Sequence, residues 1–269
     1  MRVGATIRGL HMMTNEERRG YMRLSGRKAL VTGASKGIGR SVALGYAREG
    51  ADVFLTARED REGLAKTIEE ARAYGVKAEG GLYDVTSLEE IRRLMDDIQS
   101  LMGGLDILVN NAGIIRPTPF MEISSEQFER TIRTHLFGTF YHTQEALRRF
   151  MVPAKSGKII NLAAPAAFQG FYGVVDYASA KGGIVAFTKN VAKEVAPLNI
   201  QVNAVVPVAK TRMTEVLAVY YAREFGAEAG KRLEALPDTD RLVGIFVYFA
   251  CADSDYVTGQ VVAADGGMY

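Results

Sequence analysis

The stretch Lys28-Ala-Leu-Val-Thr-Gly-Ala-Ser-Lys-Gly-Ile-Gly39 joins a short apolar run to a glycine-rich turn and then to a helical pattern. Lys28–Thr32 reads as a strand bounded by turn residues. Past the turn, Ile38, Val42 and Tyr46 recur at i, i+4 and i+8, one face of an amphipathic helix. Gly33, Gly37 and Gly39 permit a tight turn and a close approach of backbone to ligand. Ser35, Lys36 and Ile38 stand where the helix begins. There the unpaired N–H groups and the positive end of the helix dipole suit a diphosphate. Three glycines spaced GxxxGxG are weak evidence alone, but a strand before and a helix after them make a nucleotide site.

Outward from this turn the alternation continues. Asp52–Thr56, Leu105–Asn110, Lys158–Leu162, Gln201–Val206 and Gln260–Ala264 read as strands, with a weaker one near Lys77–Tyr83. Ile91, Leu94, Met95 and Ile98 mark another helix face. Strands alternating with helices imply a parallel sheet covered on both faces, reached by right-handed crossovers. The expected fold class is therefore α/β, a Rossmann-type doubly wound parallel sheet in a single domain over residues 22–269. Residues 1–21 do not join the pattern. They carry Arg2, Arg8, Arg18 and Arg19 with Glu16 and Glu17, and no apolar signal-peptide core. A disordered tail is the expectation there, and a packed arm the alternative.

Across 269 residues, 33 Lys and Arg face 31 Asp and Glu, a net charge of +2. Nothing in that balance calls for nucleic acid or an anionic membrane as partner. No apolar run reaches the ~18 residues a membrane span needs. With Cys251 as the single cysteine, neither an internal disulfide nor a cysteine zinc cage can form, so no metal and a cytoplasmic location are expected.

The second strand ends in Leu55-Thr-Ala57-Arg58. NAD(H) sites usually place an acid at that end for the ribose 2′-hydroxyl, whereas a cation accommodates a 2′-phosphate. Ala57 stands where the acid would, with Arg58 after it and Lys36 in the turn, which favours NADP(H). Asp60 keeps NAD(H) open as the less favoured cofactor.

Taken in order, Thr32-Gly-x-x-x-Gly-Ile-Gly39, Asp84-Val85, Asn110-Asn-Ala-Gly113, Tyr177-x-x-x-Lys181 and Val257-Thr-Gly-Gln…Asp265-Gly-Gly267 resemble the short-chain dehydrogenase/reductase family from about residue 24 to the C-terminus. The resemblance implies that Asp84 and Val85 contact adenine. It places Asn111, Ala112 and Gly113 beside the cofactor, with Pro207, Val208 and Thr211 at its other end. Tyr177 and Lys181 lie at i and i+4 of an expected helix, Val174–Ala196, and so share a face. A nearby ammonium lowers a phenol's pKa. The family accordingly implies Tyr177 as general acid/base, with Lys181 tuning it and holding the nicotinamide ribose.

The pattern then breaks. Ala164 occupies the family's usual serine position, and that hydroxyl would have bonded the substrate oxygen as charge develops. Gln169, Tyr172 and Ser179 are the nearby polar groups that could replace it. The helix asparagine of the family falls at His135, which could relay protons through water to Lys181 or merely pack. Pro207-Val208 stands for a Pro-Gly pair. The His135-Leu136 pair and the loop carrying Thr211-Arg-Met213 resemble the (3R)-hydroxyacyl-CoA dehydrogenase branch, near the 3-oxoacyl reductases.

Thr211 to about Leu236 lies where the family places its substrate lid. It mixes apolar residues with Arg212, Arg223, Lys231 and Arg232, cations that could meet a phosphate-bearing carrier. The expected function is ketone–alcohol interconversion with NADP(H), on a small molecule such as a 3-oxoacyl or hydroxyacyl thioester. A non-catalytic cofactor-binding protein is the alternative that Ala164 leaves open. The family also implies a homo-oligomer, dimer or tetramer, pairing helices over Phe128–Phe150 and Val174–Ala196. Ala178, Gly182, Gly183 and Ala186 are small enough for close helix approach.

Overall fold

The computed structural model describes residues 22–268. The expected tail over residues 1–21 lies outside them.

Seven parallel strands form one sheet in the order β3-β2-β1-β4-β5-β6-β7. They are β1 Lys28–Val31, β2 Asp52–Ala57, β3 Ala78–Leu82, β4 Ile107–Asn110, β5 Gly157–Leu162, β6 Ile200–Pro207 and β7 Val261–Ala264. Every strand expected from the sequence is present, displaced by no more than a residue or two. β3 was faint because Gly80 and Gly81 interrupt its apolar run. At Gly80 a Cβ would stand 2.2 Å from the Leu55 carbonyl oxygen, so the strand pairing itself demands the glycine.

Side chains alternate across each strand, and the core divides accordingly. From β1, Ala29 and Val31 face one layer with Val42, Tyr46, Phe246 and Phe249. Leu30 faces the other layer, with Phe54, Ile91, Leu94, Met95 and Ile98. Both faces are thus buried, as a wholly parallel sheet requires. On the first face lie α1 Gly37–Arg48, α2 Arg61–Arg72 and α9 Val243–Ala250. The second carries α3 Leu88–Met102, α4 Ser125–Ile132, α5 Gly138–Ala146 and the long α6 Val175–Val195. α7 Arg212–Phe225 and α8 Ala227–Glu234 form a hairpin after β6.

The helical run expected over Phe128–Phe150 is unbroken from α4 into α5, but it widens into a π-turn at Arg133–Phe137 and again at Leu147–Met151. Each widened turn shifts the phase of the side chains that follow it. β1 is flanked by β2 on one side and β4 on the other, so the chain reverses its winding there. Open α/β sheets bind ligands at the carboxyl ends of their strands beside that reversal.

Candidate active site

A cleft of about 580 Å³ runs along those carboxyl ends. It begins at the glycine turn. Gly33 and Gly37 adopt φ of +67° and +58°, the left-handed region in which a Cβ is strained. Both line the cleft with Ser35, Lys36 and Ile38. Gly39 does not. A Cβ there would lie 2.4 Å from the Gly33 carbonyl oxygen and from Asn111 Nδ2, so this glycine lets the helix close on the turn. Its expected place among the cofactor contacts is therefore indirect.

Asn111 secures the same turn by donating from Nδ2 to the carbonyls of Thr32 (2.7 Å) and Gly33 (3.0 Å). The Thr32 hydroxyl accepts the N–H groups of Asn111 and Ala112, each at 3.0 Å. These bonds leave the backbone of the turn facing the cleft, a cradle that fits a dinucleotide diphosphate.

At the far end of β2, Ala57 and Arg58 line the cleft, and Arg58 pairs with Glu59 at 2.6 Å. Lys36 pairs with Asp60 at 2.9 Å. Asp84 Oδ1 accepts from the Thr86 N–H and hydroxyl, both at 2.8 Å, which holds Asp84 and Val85 against the cleft wall.

The other wall carries Tyr177, Lys181, His135 and Ala164 together, with Pro207, Val208 and Thr211 closing the end. α6 delivers Tyr177 and Lys181 one turn apart. Its first turn is tied down by buried Asp176, which accepts from Thr131 Oγ1 (2.8 Å), Gln127 Nε2 (3.2 Å) and the Tyr177 N–H (2.8 Å). Lys181 Nζ donates to the Leu162 carbonyl at 2.6 Å and lies 5.6 Å from the centroid of the Tyr177 ring. Burial lowers the Lys181 ammonium to about 7 and raises the Tyr177 phenol, so the phenol stays protonated in this state. A neutral phenol in a shielded site can donate its proton to an oxygen that gains negative charge.

His135 sits on the π-turn and meets the Tyr177 ring edge-on, with centroids 5.2 Å apart. Its Nε2 lies 2.7 Å from the Ile114 carbonyl oxygen and 3.1 Å from the Ile114 backbone nitrogen, so the Ile114 backbone engages Nε2 in either tautomer. Nδ1 is buried and has no partner among the described residues. The ring fits only because residue 113 is glycine, where a Cβ would come within 2.2 Å of His135 Cε1.

Burial lowers His135 to about 3, with the Lys181 charge adding to the effect, and lowers buried His142 to about 4. Both are neutral in the fold, whereas unfolded histidine takes up a proton near pH 6.5. The unfolded state therefore binds more protons below that pH, and acidification costs stability. The expected loss is on the order of 1 kcal/mol per pH unit for each histidine between about pH 6.5 and 4.5. Urea unfolding across that range should show a smaller slope for His142→Gln than for the parent chain. Equal slopes would contradict this account.

Ala164 is buried on an extended segment (φ −158°, ψ 159°) just past β5. None of the three candidate replacements for its missing hydroxyl reaches the cleft. Gln169 and Ser179 are exposed, and Tyr172 packs on Tyr220 and Phe225.

The lid is split in its roles. Met213, Val216, Leu217, Leu233 and Leu236 face the cleft, whereas Val219 and Phe225 point outward. Thr211 caps α7, accepting the Thr214 N–H at 3.2 Å while its own N–H donates to Thr214 Oγ1 at 2.7 Å. Arg212, Arg223 and Lys231 are paired with Glu215, Glu224 and Glu228.

Sequence reading missed the apolar wall of Ile114, Ile115, Phe171 and Val174. It also missed the buried chain in which Asn110 Nδ2 donates to Asn161 (2.8 Å) and Asn161 Nδ2 donates to Thr188 (2.9 Å). One signal was present: an asparagine inside the otherwise apolar strand Ile159-Ile-Asn-Leu162. Among the described residues no helix is long and apolar enough to cross a membrane, and no cluster of three His, Cys, Asp or Glu could hold a metal.

A phosphate cradle at the switch point, continuous with a phenol and an ammonium on the opposite wall, is the working cleft of a dinucleotide-dependent oxidoreductase. The chain belongs to the short-chain dehydrogenase/reductase family: residues 27–219 match the short chain dehydrogenase family. It is 37% identical over 250 residues to the 3-oxoacyl-[acyl-carrier-protein] reductase FabG of Aquifex aeolicus, covering 92% of this chain and 99% of that one. The protein of the same name from Thermotoga maritima is 35% identical over 248 residues, with 92% and 99% covered. Among solved structures, NAD+-bound xylitol dehydrogenase superposes with a TM-score of 0.84 at 30% identity, covering 91% of this chain and 100% of that one. Levodione reductase gives 0.86 at 25% identity, with 91% and 98% covered.

Proposed function

We propose that the chain is an NADP(H)-dependent enzyme that interconverts a ketone and a secondary alcohol on an apolar substrate, a 3-oxoacyl or hydroxyacyl thioester being the leading candidate. The observation that carries this reading is the placement of Tyr177 and Lys181 in one cleft with the glycine turn.

The turn from Gly33 to Ile38 would hold the diphosphate, Lys36 and Arg58 the 2′-phosphate, and Asp84 and Val85 the adenine. Asn111, Ala112 and Gly113 support the middle of the cofactor; Pro207, Val208 and Thr211 border its nicotinamide end. The bound dinucleotide supplies the hydride. Tyr177 donates the proton to the carbonyl oxygen during reduction and takes it back in the reverse direction. Lys181 places positive charge near the phenol and reaches for the nicotinamide ribose. The clamp of His135 on Ile114 steadies the wall beside the phenol.

The substrate half of the cleft is lined by Ile114, Ile115, Phe171, Val174, Met213, Val216, Leu217, Leu233 and Leu236. Buried hydroxyls left unpaired by such a wall would each cost on the order of 1–3 kcal/mol. A polyol is thereby disfavoured and an acyl chain or apolar ketone favoured, in line with the names of the reductase relatives.

Phe128, Phe137 and Phe140 stand exposed along α4, the π-turn after it and α5, and nothing lies within 4 Å of the Cβ position at Gly182, which supports pairing with a second copy. Gly183 serves its own chain instead, since a Cβ there would meet Leu136 at 2.9 Å. A cytoplasmic location accords with the single cysteine.

NADPH oxidation measured against a panel of 3-oxoacyl thioesters, cyclic ketones and sugar ketoses tests the function, with turnover expected on the apolar members. Ala164 favours a second reading, a cofactor-binding protein with little catalysis. Tight NADPH binding without turnover of any ketone would establish that reading in place of the first.

A further inference from the structure

We propose that Asp60 limits the preference of this cleft for a 2′-phosphorylated dinucleotide, by holding Lys36 in an ion pair beside the place the phosphate would occupy. The inference rests on reading the cleft as a dinucleotide site and concerns how that site discriminates.

Asp60 lies three residues beyond the end of β2 and caps α2, its carboxylate accepting the Gly63 N–H at 3.1 Å. Residue 63 must be small, because a Cβ there would stand 2.9 Å from both carboxylate oxygens. Lys36 Nζ meets the same carboxylate at 2.9 Å, and the Ser35 hydroxyl also bonds it. These contacts, that of Lys36 foremost, hold the Asp60 carboxyl below its ordinary range. Its charge is therefore present throughout the neutral range.

The loops that follow β1 and β2 bring four charged side chains to the cleft: Lys36, Arg58, Glu59 and Asp60. Their formal sum is zero, two cations against two acids. The acids differ in freedom. Glu59 is 76% exposed and can swing into solvent with no loss beyond its pair with Arg58. Asp60, at 35%, is pinned by its cap and cannot leave without uncapping the helix. An incoming phosphate must draw Lys36 away from Asp60 and then tolerate the carboxylate nearby. A 2′-hydroxyl meets neither cost. The site should therefore accept both forms of the dinucleotide, with a narrower margin for NADP(H) than two cations and no acid would give.

Binding of NADPH and NADH to the full chain, followed by fluorescence of the reduced nicotinamide, tests this without recourse to turnover. Asp60→Asn is the informative variant, because asparagine caps a helix as well as aspartate does and removes only the charge. The pair is largely exposed, so the expected gain in NADPH affinity is about two- to fivefold, with NADH unchanged within about 1.5-fold. That gain should shrink as salt is raised. Glu59→Gln should move the ratio less.

Unchanged or weakened NADPH binding in Asp60→Asn overturns the proposal. So does a selective loss of NADH affinity, which would mean that Asp60 holds the ribose hydroxyls itself. If the parent chain prefers NADH outright, the NADP(H) reading fails, while the shift caused by Asp60→Asn still decides the role of Asp60. A parent chain that binds neither dinucleotide sinks both.

Discussion

Ala164→Ser is expected to raise kcat/KM for ketone reduction by about 10²–10³-fold. The Ala164 backbone is already extended and faces the cleft, two residues past the Leu162 carbonyl that anchors Lys181. Serine adds one oxygen on the existing Cβ, and no described side chain takes the role of donor from the three positions that could have supplied one. A hydroxyl there would bond an oxygen whose charge grows toward the transition state, in a cleft walled by apolar side chains where such a bond is strongest. Because the interaction strengthens only as charge develops, the gain belongs in kcat more than in KM. Steady-state NADPH oxidation by both proteins over a range of ketone concentrations separates the two terms. An unchanged kcat would show that the present site already has a donor, and would remove Ala164 from the account of its activity.

The second large effect is expected at Tyr177. Tyr177→Phe should lower kcat by about 10²–10⁴-fold, the usual worth of a positioned proton donor. NADPH affinity should change little, because phenylalanine keeps the ring edge-on to His135 and leaves Lys181 bonded to Leu162. Folding should also survive, since the phenol is neutral and none of the described hydrogen bonds uses its hydroxyl. Turnover and NADPH titration on the same preparation make the comparison. If turnover persists with the phenylalanine, Tyr177 does not carry the proton, and a chain that turned over no ketone in either form would be a binder rather than an enzyme.

Much of the fold was legible without coordinates. The strands stand within a residue or two of their expected places because a strand's identity rests on local signals: apolar runs, turn residues at their ends, and burial on both faces. α6 was expected over Val174–Ala196 and spans Val175–Val195 for the same reason. The glycine turn could be read because left-handed φ angles at Gly33 and Gly37 restrict the residue type. Where local signals were faint, as at Gly80 and Gly81 in β3, the deciding contact was with another strand.

The sequence by itself determined the α/β class, the order of its elements, the glycine turn and the Tyr177–Lys181 pair, since each depends on spacing within a few residues. Tertiary structure alone decided how distant segments meet. The π-turn at Arg133–Phe137 departs from regular helical phase, so periodicity could not aim His135 at Ile114 and Gly113. Crossover packing places Asn111 on the glycine turn, turns Gly39 from an expected ligand contact into a helix–turn contact, and sends Gln169, Tyr172 and Ser179 away from the cleft. It also brings Lys36 against Asp60, joining the loops that follow β1 and β2. Such contacts arise from the three-dimensional course of the chain between elements, and no periodicity or spacing along one segment encodes that course.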